Sequence, residues 1–380
     1  MTTYDWIVIG AGITGASLAY ELSQYFKVLL LEKDREPDNA TLYSYGGLAY
    51  WSGTDELTRT LGQEGIELHR HLSAELEADT EFRELDLVLT IDRQDDSETI
   101  ARLYDRFAKV PELLSVRDAC ILEPLLNPNA ISGALKLPHG HIHPQKTTDA
   151  YIQAFVRNGG EVVYERVTAL IGRDKVTGIK TEINSYSGKH TVICAGGLSR
   201  SLLKQVNIVV ENRFTYAQLV MTPPVDLELA TVVMPAVQQR FALEAQSVLE
   251  TTLPNNTILD PGAVQFLDGS LCMGQISSVA DNFKPDLATA EAEIRDRVGN
   301  VLPLLEDIPG TCHSCLVAYN NKGIALVGNV ASISGLYIFS GFTSTLVYAP
   351  VLARRFARSQ TGTDDSIIEQ LQLTLNSGYS

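Results

Sequence analysis

The chain has 380 residues, enough for two domains or one elaborated domain, and its 45% hydrophobic and 20% charged content suits a globular protein rather than a disordered or fibrous one. Lys and Arg number 30 against 46 Asp and Glu, a formal charge of −16 that repels nucleic-acid phosphates, and no local basic patch offsets it. No apolar run of about 18 residues lacks Gly or a charge, no basic leader precedes a cleavage site, and five scattered cysteines make no disulfide framework, so a cytoplasmic protein without a membrane span is expected.

At 4–10, "YDWIVIG" has the unbroken apolar character of a parallel strand buried on both faces, and "TGASLAYELSQY" sets Leu18 and Leu22 four apart on one helix face. "KVLLLE" reads as a second such strand, which completes a βαβ unit with glycines at its first strand-to-helix turn. Residues 54–78 read as a helix with Thr54 as N-cap, "LDLVLTI" as a strand and "DSETIARLYDRFAKV" as another helix. His69 and His71, two apart on the first of these helices, share no face and read as surface residues.

Residues 111–144 are punctuated by Pro and Asn, and within them "PHGHIHP" places His139, His141 and His143 at alternate positions on one strand face. Imidazoles so spaced can bind a metal, but no fourth ligand is in view, so pocket-lining histidines and no metal are expected. A helix at about 146–158 ends at Asn158-Gly159-Gly160, "EVVYERVTALI" returns to strand, and "HTVICAGG" is a third apolar strand ending in small residues. From about 206 to 310, β-like runs alternate with turns such as Leu267-Asp268-Gly269 ahead of a helix over "ATAEAEIRDRVGNVLPLL". Cys312 and Cys315 in "CHSC" read as half-buried thiols at a strand start, since no second C-x-x-C follows. "GIALVG", "GLYIFSG" and a helix from Thr345 to Ala357 come last, and the polar tail reads as peripheral.

Gly10, Gly12 and Gly15 fit G-x-G-x-x-G, in which the first glycine turns tightly, the second admits a pyrophosphate and the third lets helix pack on strand. The helix then opens with its partial positive charge and free N–H groups toward the phosphates. Glu32, 22 positions after Gly10 at the end of the second strand, suits a ribose diol and disfavours a 2′-phosphate. An NAD enzyme would continue with further βα units, whereas "PDNATLYSYGGLAYWSG" is small-residue text against which a wide planar ring can lie, and "CAGG" and "FSGF" end two later strands. Distant segments converging on one ligand favour a flavin dinucleotide.

On "VIGAGITGASLAYEL…VLLLEK", "ATLYSYGGL", "LEPLLNPNAISGALKLPHGHIHP", "ERVTAL", "VICAGGLS", "DGSLCMGQI" and "NNKGIALVGNVASISGLYIFSGF", the chain resembles the D-amino-acid oxidase superfamily of FAD-dependent oxidoreductases, which includes glycine oxidase, monomeric sarcosine oxidase and D-amino-acid dehydrogenase. The resemblance covers nearly the whole chain. It implies FAD held at the pyrophosphate by Gly10, Gly12, Ile13, Thr14 and Gly15, at the adenosine by Glu32, Lys33 and Val167, and at a second small turn by Ala195 and Gly196. Thr41, Ser44, Gly46, Gly47 and Leu48 would flank the isoalloxazine, and the loop from Gly341 through Thr343, Ser344, Thr345 and Leu346 would face its pyrimidine oxygen, where reduced flavin carries negative charge. Cys315 matches the cysteine that carries covalent flavin in sarcosine-oxidase-like members, or it is an unmodified core thiol.

The chain also departs from the family's pattern. Val317 stands where many members have a substrate-binding arginine, Leu346 replaces a glycine, Tyr348 falls at the sarcosine oxidases' lysine, and Gly262 or Ala263 lies near the glycine oxidases' tyrosine.

The expected architecture is α/β: a doubly wound, Rossmann-like FAD domain from 1–85, 139–205 and 310–365, a mostly antiparallel β-sheet substrate domain from 86–138 and 206–309, and a peripheral tail at 366–380. The expected reaction oxidises a C–N bond of a small amine or amino acid by hydride transfer to flavin N5, with Tyr348 and Tyr319, then His141 and His143, as substrate contacts. The alternatives are a flavin dehydrogenase of a 2-hydroxy acid or other alcohol, and a flavin-binding protein without turnover. A small-molecule substrate is the expected partner.

Overall fold

In the computed structural model, which describes residues 3–206, 208, 212–237, 256–279, 284–320 and 323–377, strand Thr3–Ile9 lies inside an eight-stranded sheet. Its alternate residues serve two cores: Trp6 and Val8 pack under helices, and Ile7 and Ile9 pack on the opposite face. Burial on both faces explains the lack of apolar–polar alternation in its sequence. The main run is Leu326–Asn329, Leu336–Ser340, Ser185–Ile193, Thr3–Ile9, Val28–Glu32, Glu161–Tyr164, parallel at every step but the first, and Gly178–Thr181 and Val167–Ile171 add antiparallel pairings beside Ser185–Ile193. Helices Ile13–Ser23, Pro144–Arg157 and Thr345–Ser359 pack together on one face.

A second sheet of nine strands is ordered Thr311–Asn320, Asn212–Met221, Leu271–Val279, Asn256–Gln265, Val232–Pro235, Arg83–Asp92, Ile131–His141 and Gly47–Leu48, with Glu112–Leu114 beside Ile131–His141. Only Val232–Pro235 against Arg83–Asp92 is parallel. Helix Leu287–Val301 covers its outer face through Ala290, Ile294 and Val298. The fold class is thus as the sequence indicates, a Rossmann-like sheet plus a separate, mostly antiparallel one. No helix among the described residues is long and apolar enough to cross a membrane.

Several local readings change. Asp55, not Thr54, caps helix Glu56–Glu75, because its carboxylate accepts from Thr58 N–H while the Thr58 hydroxyl accepts from Asp55 N–H. The helix read over 96–110 spans only Ser97–Arg102, with Asp96 as its N-cap. "EVVYERVTALI" is two strands: Glu161–Tyr164 joins the parallel sheet and Val167–Ile171 forms a hairpin with Gly178–Thr181. The tail forms helix Ser366–Ser377, which buries Ile368 and Leu371 and bonds Gln372 to Asn329, so it belongs to the packed body. Residues 85/86 and 138/139 fall inside strands, and Thr311–Asn320 belongs to the second sheet. Part of the expected β-rich middle segment, 238–255, lies outside the described residues.

Candidate functional site

Gly10 sits at φ +102°, in the left-handed region, and a Cβ there would come within 2.9 Å of the Cys194 carbonyl oxygen. A Cβ on Gly15 would lie 1.8 Å from the Gly10 oxygen, so the helix rests directly on its own entry turn. Its N-cap, Gly12, offers no side-chain acceptor and its first turn holds no acid; Thr41 Oγ1 accepts Ile13 N–H at 3.2 Å. The positive helix end therefore lacks an anion of its own. Across the turn, Glu32 accepts from Ala11 N–H through Oε2 and from Lys33 N–H through Oε1, each at 2.8 Å.

A cavity of about 1580 Å³ begins there. Gly10, Gly12, Ile13, Thr14, Glu32, Lys33, Val167, Ala195 and Gly196 line it, as do Thr41, Ser44, Gly47, Gly341, Thr343, Ser344, Thr345 and Leu346. Cys315, Val317, Tyr319 and Tyr348 also line it. Helix Thr345–Ser359 starts at this wall behind Ser344, which holds a left-handed φ of +46° and gives no side-chain cap, so a second set of first-turn amides meets the cavity.

Five residues expected in the site do not line the cavity. Gly15 serves helix packing. Gly46 accepts Ile142 N–H at 3.0 Å, and Leu48 is wholly buried in the helix-side core. His141 packs 5.4 Å from the Phe266 ring, and burial, then the charge of Arg83, push its pKa down to about 3. His143 is the N-cap of Pro144–Arg157, its Nδ1 accepting Lys146 N–H at 3.3 Å, and its ring also meets Phe266. His141 does share a strand face with His139, but Phe266 covers the His141 end.

The histidine that reaches the cavity is His139. Its Nδ1 accepts the Trp51 indole N–H at 3.2 Å, so the neutral ring carries its proton on Nε2, and burial lowers its pKa to about 4. Nε2 lies 2.6 Å from where a Gly47 Cβ would stand, so only glycine fits opposite it. Trp51, Tyr104 and Phe107, which the sequence did not single out, line the cavity too. No local signal marked the last two: the sequence reads as one continuous helix, and the turn that carries Tyr104 and Phe107 inward follows its actual end at Arg102. Tyr348 is buried, which raises its pKa to about 12 and keeps the phenol protonated.

None of the five cysteines forms a disulfide. Cys312 and Cys315 are three apart on strand Thr311–Asn320 and point to opposite faces: Cys312 enters the core under helix Leu287–Val301 and Cys315 lines the cavity. They therefore cannot act together as a pair.

The model of a family described as FAD dependent oxidoreductase matches residues 5–359. The chain is 24% identical over 379 residues to the uncharacterized oxidoreductase YurR of Bacillus subtilis, covering 94% of this chain and 95% of that one. It is 32% identical over 204 residues to a glycerol 3-phosphate dehydrogenase of Caloramator mitchellensis, covering 51% of this chain and 42% of that one. Among solved structures it resembles glycine oxidase from Geobacillus kaustophilus (TM-score 0.80, 19% identity, 96% of each chain) and L-proline dehydrogenase from P. horikoshii (TM-score 0.77, 18% identity, 98% of this chain and 97% of that one). The chain belongs to the FAD-dependent oxidoreductase family, and its cofactor is FAD.

Proposed function

We propose that this protein oxidises the C–N bond of a small amine or amino acid. The fit to FAD rests on the glycine turn, where a helix start without cap or acid stands ready for a diphosphate and Glu32 stands ready for a ribose. Gly10, Gly12, Ile13 and Thr14 would hold the diphosphate, with Gly15 packing the helix onto that turn, Glu32, Lys33 and Val167 the adenosine, and Ala195 and Gly196 the second turn. Thr41, Ser44 and Gly47 would flank the ring, with Gly46 and Leu48 behind them in the packed core, and Gly341 to Leu346 would meet its pyrimidine edge. When bound, FAD supplies a two-electron acceptor for a hydride from the substrate carbon.

One observation carries the choice of an amine. An alcohol needs a base to take its O–H proton as hydride leaves, whereas a neutral amine needs none, because its lone pair forms the C=N bond. Among the described residues lining the cavity, no free base faces the ring-flanking segment. His139 has its acceptor nitrogen occupied by Trp51, and Tyr348 is held protonated. Glu32 is engaged at the turn, Asp38 accepts from the Tyr43 hydroxyl, and Glu165 accepts from Thr181, Asn184 and Tyr186. The chain's part is to orient the amine and exclude water. Water outside the site then hydrolyses the imine to a carbonyl compound and ammonia or an amine.

Solved structures of the same fold named glycine oxidase, L-proline dehydrogenase and iminodiacetate oxidase support this reading. A second reading, oxidation of a C–O bond, is supported by the relative named glycerol 3-phosphate dehydrogenase. Anaerobic mixing of the holoprotein with amines, amino acids, 2-hydroxy acids and glycerol 3-phosphate separates them. Amines and amino acids should bleach the flavin absorbance; bleaching by the hydroxy compounds alone would overturn the proposal.

A further inference from the structure

The proposed chemistry leaves one part of the cavity unused. There Trp51, Tyr104 and Phe107 pack on one another, with ring centroids 5.6 Å apart at 87° for Trp51–Phe107, 5.2 Å at 59° for Tyr104–Phe107 and 6.3 Å at 34° for Trp51–Tyr104, and together make the aromatic side of an apolar box. Leu87 and Met234, of the same apolar cluster, also line the cavity. The polar atoms of the aromatic side are already committed. The Tyr104 hydroxyl donates to the Ala236 carbonyl at 2.6 Å, and the Trp51 N–H goes to His139. What remains is π face and alkyl surface.

Charge points the same way. Among the described residues, the Lys and Arg side chains that line the cavity are Lys33 and Arg166, next to Glu32 and Val167, and Arg106, an exposed residue whose guanidinium lies 5.1 Å from the Phe107 ring. A carboxylate placed against the aromatic rings would lose its hydration with no buried cation to replace it. The box nevertheless adjoins the ring-flanking segment, because His139 joins Trp51 to Gly47.

We infer that, on the amine reading, the substrate is an amine with a bulky apolar substituent, aryl or branched alkyl, rather than a compact amino acid. The substituent lies in the box against the packed surface of Trp51, Tyr104 and Phe107, and the amine projects past His139 toward Gly47. Burying such a group gains binding free energy that glycine has no surface to collect.

The test titrates benzylamine, N-methylbenzylamine, glycine and sarcosine anaerobically into the holoprotein, wild type and Phe107→Ala. The perturbed flavin spectrum reports binding and bleaching reports reduction. Phe107 is only half-buried, and flavin content checks that the variant is loaded. In the wild type the benzylamines should bind at least about tenfold more tightly than glycine or sarcosine, and Phe107→Ala should weaken them about five- to tenfold. Tighter binding of glycine or sarcosine in the wild type overturns the inference, as does unaltered benzylamine binding in a fully loaded variant; the wild-type preference decides without the variant. Benzylamine binding without bleaching keeps the box and removes amine oxidation, whereas bleaching by glycine without benzylamine binding does the reverse.

Discussion

His69 Nε2 lies 2.7 Å from the carbonyl oxygen of Leu346, the carbonyl that Pro350 leaves without its helical partner. Within helix Thr345–Ser359 the Leu346 oxygen would ordinarily accept from the N–H four residues on, which proline lacks. A histidine from helix Glu56–Glu75 supplies the donor instead and pins the turn that lines the cavity. Burial lowers its pKa to about 4, so the ring is neutral, with the proton on Nε2 and Nδ1 unpartnered.

His69→Ala should therefore strand a buried carbonyl and cost about 1–3 kcal/mol in urea denaturation. Adding Pro350→Ala restores a main-chain donor to Leu346 and should recover at least half of that loss. Simple additivity of the two substitutions would show that the histidine does not replace the missing helical bond.

Gly15→Ala places a methyl group 1.8 Å from the Gly10 oxygen, a backbone atom that cannot swing aside. The helix must lift from the turn, so purified protein should have lost most of its FAD and about 2 kcal/mol or more of stability. The flavin-to-protein ratio measures the first effect and thermal unfolding the second. A variant isolated with full FAD content would contradict the role assigned to this glycine.

Glu32 accepts two main-chain N–H groups from opposite sides of the turn, which fixes its carboxylate for a ribose diol. Glu32→Ala removes charge-assisted bonds worth about 1.5–3 kcal/mol each, so FAD affinity should fall about ten- to a hundredfold. Fluorescence quenching during titration of the apoprotein with FAD reads the change. Unchanged affinity would mean that the adenosine lies elsewhere.

Acid should destabilise the fold in a defined window. His69, His139 and His141 are buried and neutral, their pKa values lowered to about 4, about 4 and about 3, chiefly by burial. In the unfolded chain each titrates near the ordinary histidine value of about 6.5. Between these limits the unfolded state binds more protons, so stability is fully present above about pH 7 and falls as the pH drops toward 4, by on the order of 1–3 kcal/mol per histidine. Urea midpoints across this range should slope downward with acidity, less steeply in His141→Gln. A flat profile from pH 7 to 5 would mean that these rings are not held neutral.

The glycine turn was legible because it is local: a doubly buried strand, three spaced glycines and a carboxylate on the following strand lie within one βαβ unit. Strand alternation likewise set His139 and His141 on one face. Nothing nearby could say which of them meets the cavity, because Phe266, more than a hundred residues further on, covers His141 while Gly47 leaves room for His139. His69 and His71 pose the same problem on a helix. The two were correctly given different faces, but both were read as surface residues, whereas His69 is buried against a carbonyl that a distant proline had orphaned.

The aromatic box shows the division most plainly. Read locally, 96–110 is one helix, and Tyr104 and Phe107 are merely two of its residues. In the fold the helix ends at Arg102, and the Tyr104 hydroxyl bonds Ala236 while Lys109 N–H bonds the Trp51 carbonyl. Backbone state and periodicity follow from neighbours in sequence, so the cofactor's class and the layered α/β fold could be read from residues alone. The partner of a side chain depends on elements brought together from far along the chain, so the pocket that selects a substrate took its shape only when the two sheets closed over each other.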